Sequence, residues 1–341
     1  MDCVGADLLF RDQDTGRIGM THRTRMLAAA ILAGTLALGL RAAPAAYPER
    51  YITMICASGA GGIVDVTTRI IAEHMSKTLG RTIVVQNEPG AGSTLAIAAV
   101  AKAPPDGYTV LTIGPGVSVV AELYPNATTD VRRDLQPVSV MGAAPLVLLA
   151  HKSVPANDYA ALLAYLKTHP NELTTGSNGR GSAGHLASAL FRQMAGVEIL
   201  YIPYRTTPQA QTDLIAGRLS MMWLSTLTDQ IEAGLLRPVA VSTLERWSRF
   251  PDTPTFDELG LKGYEATTWI SMYLPKGASP EVNARLNAAL DAALADPALR
   301  ARLDQVGVVP PRRGGPDFLE AYLKSEIDKW AAILRTNKDG D

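Results

Sequence analysis

The chain has 341 residues, 47% of them hydrophobic and 19% charged, with 32 lysines and arginines against 33 acidic residues and a formal net charge of −1. So even a balance lacks the clustered cations that displace counterions from phosphates, which excludes nucleic acid as a main partner. The length exceeds the roughly 250–300 residues at which a single core stops growing, so two domains are expected.

In chain order the first feature is an uncharged run, Met26 to Leu40, preceded by His22, Arg23 and Arg25 and followed by Arg41-Ala-Ala-Pro-Ala-Ala46. Positive flank, apolar stretch and small-residue site in that order predict a secretory signal peptide. The run is also shorter than the ~20 residues a membrane span requires. Residues 1–45 are therefore expected to be a leader cleaved near Ala45, leaving an exported, periplasmic chain. Asp2, Asp7, Asp12 and Asp14 are foreign to such a leader and point to Met20 as the start. The two cysteines are Cys3 and Cys56, so cleavage leaves Cys56 without an intramolecular partner and the fold must rest on packing.

Beyond the leader, β-rich apolar runs alternate with runs of helical period, the pattern of βαβ units. Tyr51 to Cys56 reads as a strand, and a helix over about 65–79 sets Val66, Ile70, Ile71 and Met75 on one face. Strands follow at 82–86 and 108–113, with a helix over about 93–103 between them that stops at Pro104-Pro105-Asp106-Gly107. A second series has strands at 146–150, 173–177, 198–202, 219–224 and 238–242, with helices at 159–168 and opening near Ser182, Pro208 and Thr226. Trp269 to Leu274 is a further strand. Ser279-Pro280 and Asp296-Pro297 each pair a capping residue with a proline in the first helical turn. The final helix, about 316–336, spaces Phe318, Tyr322, Ile327, Trp330 and Leu334 as packing residues.

Three small-residue loops sit at strand ends. The first, Ser58-Gly-Ala-Gly-Gly-Ile-Val-Asp65, joins a strand to a helix, where free backbone N–H groups attract anions and glycines admit a ligand to the backbone. It is no dinucleotide fingerprint, because Val64 stands where the last glycine belongs, and no GxxxxGK[ST] occurs, so no nucleotide cofactor is expected. A tight turn would use the same glycines, and this loop alone does not separate the two uses. Glu88-Pro-Gly-Ala-Gly-Ser93 and Gly176-Ser-Asn-Gly-Arg-Gly-Ser-Ala-Gly-His185 repeat the arrangement, and three such loops in two domains favour a ligand cleft. Ser177 and Ser182 offer hydroxyls there, and Arg180 a fork suited to a carboxylate. Tyr204-Arg205-Thr206-Thr207 adds donors between a strand and a helix. Ser182 is not a nucleophile elbow, since Arg180 replaces the glycine two positions earlier. The histidines show no metal-ligand spacing, so neither catalytic residue nor metal is expected.

These stretches resemble the tripartite tricarboxylate transporter substrate-binding proteins, also called the Bug family. The resemblance lies in Gly61-Gly62-x-x-Asp65, Val84-Val85-Gln-Asn-Glu-Pro-Gly-Ala-Gly92, Pro105-Asp-Gly-Tyr-Thr109 and Asp134-Leu-Gln-Pro-Val138, then Gly181-Ser-Ala-Gly-His-Leu186, Ile202-Pro-Tyr204, Asp213-Leu-Ile-Ala-Gly217 and Phe250-Pro-Asp-Thr-Pro-Thr255. The ordered set spans nearly the whole mature chain. It implies a two-lobed α/β periplasmic binding protein of type II, the Venus-flytrap architecture, each lobe a mainly parallel sheet flanked by helices. The lobes are expected at 46–147 plus 267–341 and at 148–266, with the cleft between them.

The resemblance further implies a small organic carboxylate ligand, membrane permease subunits as partners, a monomer, and no enzymatic activity. Carried onto this chain, the expected contacts are Ser58, Gly59, Gly61, Gly62, Asp65, Ala91, Gly92, Ser177, Ser182, His185 and Tyr204. Arg180 and Arg205 join them as candidates that favour a ligand with more than one anionic group. The chain departs from the family in having Ala57-Ser58 for Pro-Phe, Arg205-Thr206 for Lys-Gly, and Trp223-Leu224 near a usual Phe-Asp-Asn. The alternatives are a ligand-sensing subunit for a signalling receptor and a secreted α/β hydrolase, the latter lacking its elbow.

Overall fold

The computed structural model describes residues 47–336 apart from Thr226; the expected leader, its cleavage site and Cys3 lie outside the described residues. The first half runs β1 (Ile52–Cys56), α1 (Ile63–Leu79), β2 (Ile83–Asn87), α2 (Thr94–Ala101), β3 (Thr109–Ile113), the single turns α3 (Val120–Leu123) and α4 (Val131–Asp134), and β4 (Leu135–Pro145). Then come β5 (Val147–His151), α5 (Tyr159–Thr168), β6 (Thr174–Ser177), α6 (Ala183–Ala195), β7 (Leu200–Pro203), α7 (Thr207–Ile215), β8 (Met221–Leu224), α8 (Thr228–Glu232) and β9 (Leu236–Val241). The chain ends with β10 (Thr267–Pro275), α9 (Pro280–Ala295), α10 (Pro297–Gln305) and α11 (Pro316–Thr336).

The strands form two five-stranded sheets of the same design, ordered β2-β1-β3-β10-β4 and β7-β6-β8-β5-β9. In the first, Thr53 of β1 stands opposite both Val84 and Thr109 in parallel register, while β10 runs against both β3 and β4. In the second, β6 is parallel to β7 and β8, and β5 runs against both β8 and β9. The expected mainly parallel sheets thus each carry one reversed strand, for a physical reason. β4 passes through Leu146 straight into β5, and β9 leads back through residues 242–266 to β10. A strand that enters its sheet from the face where its neighbours end must run opposite to them.

β4 shows no sequence signal because Pro137, Gly142 and Pro145 read as breakers. It is an edge strand, where a missing N–H costs little. Gly142 is required by close packing, since a Cβ there would stand 2.8 Å from Val308 Cγ1.

Each sheet is covered on both faces. Ile52, Met54 and Cys56 of β1 face α1, α9 and α10 through Ile71, Met75, Leu290 and Leu303. Ile55, one residue out of phase, joins Leu111, Ile97, Leu319 and Leu323 on the opposite face, as strand alternation demands. In the second half Leu148, Leu186, Phe191, Trp223 and Phe256 build one face, and Leu149, Leu214, Trp247 and Phe250 the other.

α11 belongs to both halves: Leu319 and Leu323 pack in the first core, and Trp330 and Ile333 in the second. Between them Glu326 accepts the indole N–H of Trp269 at 3.0 Å and of Trp330 at 2.9 Å. The aromatics of the last helix are therefore packing residues, as their spacing predicts.

Candidate functional site

The carboxyl ends of β1, β2, β3 and β6 open on one cavity of about 870 Å³, into which the N-terminal turns of α1, α2, α6 and α7 also point. Loop one leaves β1 at Cys56 and reaches α1 through Gly61, which has φ +77°, and Gly62, which caps α1 with no side-chain hydrogen bond. The first backbone N–H groups of α1 are thus uncapped by any side chain beside the cavity. The loop is held from behind. Asp65 accepts from the Gly61 N–H at 2.9 Å, Arg69 Nε at 3.0 Å and Asn87 Nδ2 at 2.8 Å. Asn87 also donates to the Ser58 carbonyl at 2.9 Å, which ties the end of β2 to loop one. Burial alone would raise the Asp65 pKa, but the hydrogen bonds from Arg69, Gly61 and Asn87 outweigh it and hold the carboxyl below its ordinary range.

Loop two is a run of left-handed residues: Gly90 at φ +133°, Ala91 at +43°, Gly92 at +60° and Ser93 at +76°. Two of these carry side chains, a conformation that persists only where the surroundings impose it. The Ser93 N–H donates to the Gly90 carbonyl at 2.9 Å and its hydroxyl to the Ala57 carbonyl at 3.3 Å, joining loops one and two. Gly92 has no room for a side chain, because a Cβ would lie 2.0 Å from Cε2 of Tyr124.

Loop three faces them from the second sheet. Ser182 caps α6, accepting from the His185 N–H at 3.4 Å and donating to Ser177 Oγ at 2.8 Å. Ser177 in turn meets Tyr201 OH at 2.7 Å and the Gly179 carbonyl at 3.1 Å. His185 accepts from the Gly181 N–H through Nδ1 at 3.2 Å. Tyr204 lays its ring beside Gly176, and its hydroxyl donates to Asp213 at 2.9 Å. Burial first, and Asp213 second, push that phenol up to about 12.

Of the residues expected from sequence, Ser58, Gly59, Gly61, Ala91, Gly92, Ser177, Arg180, Ser182, Tyr204 and Arg205 line the cavity. Gly62, Asp65 and His185 do not: they cap, brace and pin the loops from behind, and the Asp65 carboxylate is engaged with the loop-one backbone. The hydroxyl of Tyr204 is likewise taken by Asp213, leaving its ring and backbone as the lining parts. Sequence reasoning missed Gly116, Tyr124, Gln211 and Thr268, while Ser93 and Thr207 stood in flagged loops without being carried into the expected contacts. Gly116 follows a strand end, Ile113-Gly-Pro-Gly, and the rule that flagged the other loops applies to it. Tyr124 gave no such signal.

Arg180 and Arg205 line the cavity and no Asp or Glu does, among the described residues, so with four helix N-termini the field there favours an anion. Among the described residues no group of three His, Cys, Asp or Glu could hold a metal ion, and no helix is long and apolar enough to cross a membrane.

Two matched sheets joined by two crossings, with strand ends and helix N-termini converging on a cleft, define a two-lobed periplasmic binding protein. The sequence pattern of the tripartite tricarboxylate transporter family receptor matches residues 67–338, and the chain belongs to that family. Its members are solute-binding proteins, not enzymes. The chain is 33% identical to BugT of Bordetella pertussis over 319 residues, 92% of this chain and 98% of that one. Among solved structures it resembles Rpa4515 of R. palustris with adipate, at a TM-score of 0.80 and 33% identity, covering 85% of this chain and 98% of the other. MatC of Rhodopseudomonas palustris with bound malate gives a TM-score of 0.80 and 29% identity, covering 84% and 100%.

Proposed function

We propose that the protein is exported to the periplasm, captures a small organic carboxylate in this cleft and delivers it to the membrane permease subunits of a tripartite tricarboxylate-type transporter. The observation that carries this is the convergence of uncapped helix N-termini, Arg180 and Arg205 on a cavity lined by no Asp or Glu among the described residues. Adipate and malate in the two similar structures support a dicarboxylate or a related acid. The lobes of this proposal are 46–147 plus 267–341 and 148–266, acting as a monomer. A ligand bridging loops one and two on one lobe and loop three on the other contacts the closed form better than the open one and so draws the lobes together.

The test is thermal unfolding of the mature chain, stripped of carried-over ligand by unfolding and refolding, against mono-, di-, tri- and aromatic carboxylates. A ligand at about 100 times its Kd adds ~2.7 kcal/mol, a rise of a few degrees. A selective rise names the ligand class, and a flat response across the panel overturns carboxylate capture.

A further inference from the structure

We propose that Tyr124 sets the length of ligand the cleft accepts, closing its loop-two end with a phenol ring. The inference rests on the carboxylate reading above and adds a residue that no sequence motif pointed to.

Tyr124 ends the short turn α3 and lines the cavity. Its ring lies against the backbone of loop two, so close that a Cβ on Gly92 would stand 2.0 Å from Cε2, 2.5 Å from Cζ and 2.8 Å from the hydroxyl oxygen. The phenol therefore sits beside the left-handed run of residues 90–93, which lines the cavity. An anionic group seated on that loop meets the ring edge and hydroxyl next, and a longer ligand can extend there only by displacing them.

The backbone that carries the ring is held in place. The Tyr124 N–H donates to the Val120 carbonyl at 2.8 Å, and its own carbonyl accepts from Ala127 at 2.9 Å. The segment just before it is anchored on the other half of the molecule. Val119 packs in the second core, Leu123 packs against it, and both lie against Gly181, where a Cβ would be 3.1 Å from Val119 Cγ2 and 3.4 Å from Leu123 Cδ1. Glu122 is ion-paired with Arg335 of α11 at 3.0 Å. The same segment thus touches loop two and loop three, and Tyr124 is carried to its place by the contact that brings the two loops together.

A wall of this kind discriminates by size, and one methylene too many or too few in a fitted pocket changes affinity by roughly tenfold or more. The experiment measures Kd by titration calorimetry for succinate, adipate and suberate with the wild-type chain, Tyr124→Ala and Tyr124→Phe, each first shown folded by circular dichroism. Tyr124→Ala is expected to move the preference toward the longer acids, changing the ratio of suberate to succinate affinity by about tenfold or more. Tyr124→Phe is expected to keep the wild-type length preference. A residue that only supported the loop would weaken all three acids alike, so an unchanged ratio in Tyr124→Ala overturns the assignment while the carboxylate reading stands. A wild-type chain that binds none of the three acids, nor any other carboxylate of the panel, overturns both.

Discussion

Gly116 and Gly181 meet backbone to backbone across the cleft: a Cβ on Gly116 would stand 3.4 Å from the Gly181 carbonyl oxygen, and one on Gly181 3.8 Å from the Gly116 Cα. Toward loop one, Gly59 packs against a side chain, since a Cβ there would lie 2.9 Å from the Thr206 methyl. Neither Gly59 nor Gly116 has a positive φ, so a side chain at either tests space rather than backbone strain. Gly116→Val and Gly59→Val are expected to fold and to bind carboxylate about tenfold more weakly or worse, a loss of ~1.4 kcal/mol or more, because the added side chain meets the facing loop, at Gly59 alone and at Gly116 together with Ser93 Oγ of loop two at 3.4 Å. Small-angle scattering of the ligand-saturated variants would show a larger radius of gyration than the wild type. Wild-type affinity and compaction in both would mean that these glycines do not form the closing seam.

Gly92 and Tyr124 allow a sharper test of loop two. A methyl group on Gly92 overlaps the phenol ring and also meets the penalty of a left-handed residue, about 1–2 kcal/mol. Gly92→Ala is expected to cost about 3 kcal/mol in the wild-type background, as overpacking adds to that penalty. In a Tyr124→Ala background it should cost only the left-handed part, about 1 kcal/mol. Urea denaturation of the four proteins of this cycle measures the coupling. Additive losses would remove the proposed contact.

Much of this was legible from the sequence because the physics is local. Gly61 and Gly92 announce loop geometry, Ser279-Pro280 and Asp296-Pro297 announce helix starts, and Tyr51 to Cys56 with 108–113 announce buried strands. What was not legible depends on partners distant in the chain. β4 looks broken by Pro137 and Gly142 until its edge position and the packing of Val308 are known. Asp65 lies in the first glycine motif, but only Asn87 and Arg69 reveal that its carboxylate braces the loop instead of facing the cavity. Tyr124 reaches the site by tertiary contact with Gly92, and no spacing rule encodes that.

Asp65 yields a prediction in pH. Its folded pKa lies below the ordinary carboxylate value, so its stabilising contribution is fully present above the unfolded pKa of about 3.9 and is lost as pH falls through the folded one. Asp65→Ala is expected to destabilise the protein by about 2 kcal/mol near neutrality, since Gly61, Arg69 and Asn87 lose their acceptor. The gap between wild type and variant, followed by urea denaturation, should hold from neutrality to about pH 5 and narrow steadily below about pH 4. A gap that widened on acidification would contradict the sign of the shift.

The last prediction concerns Glu326, whose Oε2 accepts from the indoles of Trp269 in β10 and Trp330 in α11. All three side chains are buried, Trp269 lies in the first core and Trp330 in the second, so one carboxylate oxygen links a strand of the first sheet to the helix that packs in both cores. Removing it leaves two indole N–H groups unpaired away from water, each at about 1–3 kcal/mol. Glu326→Ala is expected to lose about 2–4 kcal/mol. Glu326→Gln keeps a carbonyl oxygen able to accept both indoles and should retain most of the stability, giving up only the 3.6 Å approach of Lys329. Denaturation midpoints and tryptophan fluorescence of the two variants distinguish the cases. If glutamine proved as damaging as alanine, the negative charge and not the shared acceptor would be what holds α11 across the two cores.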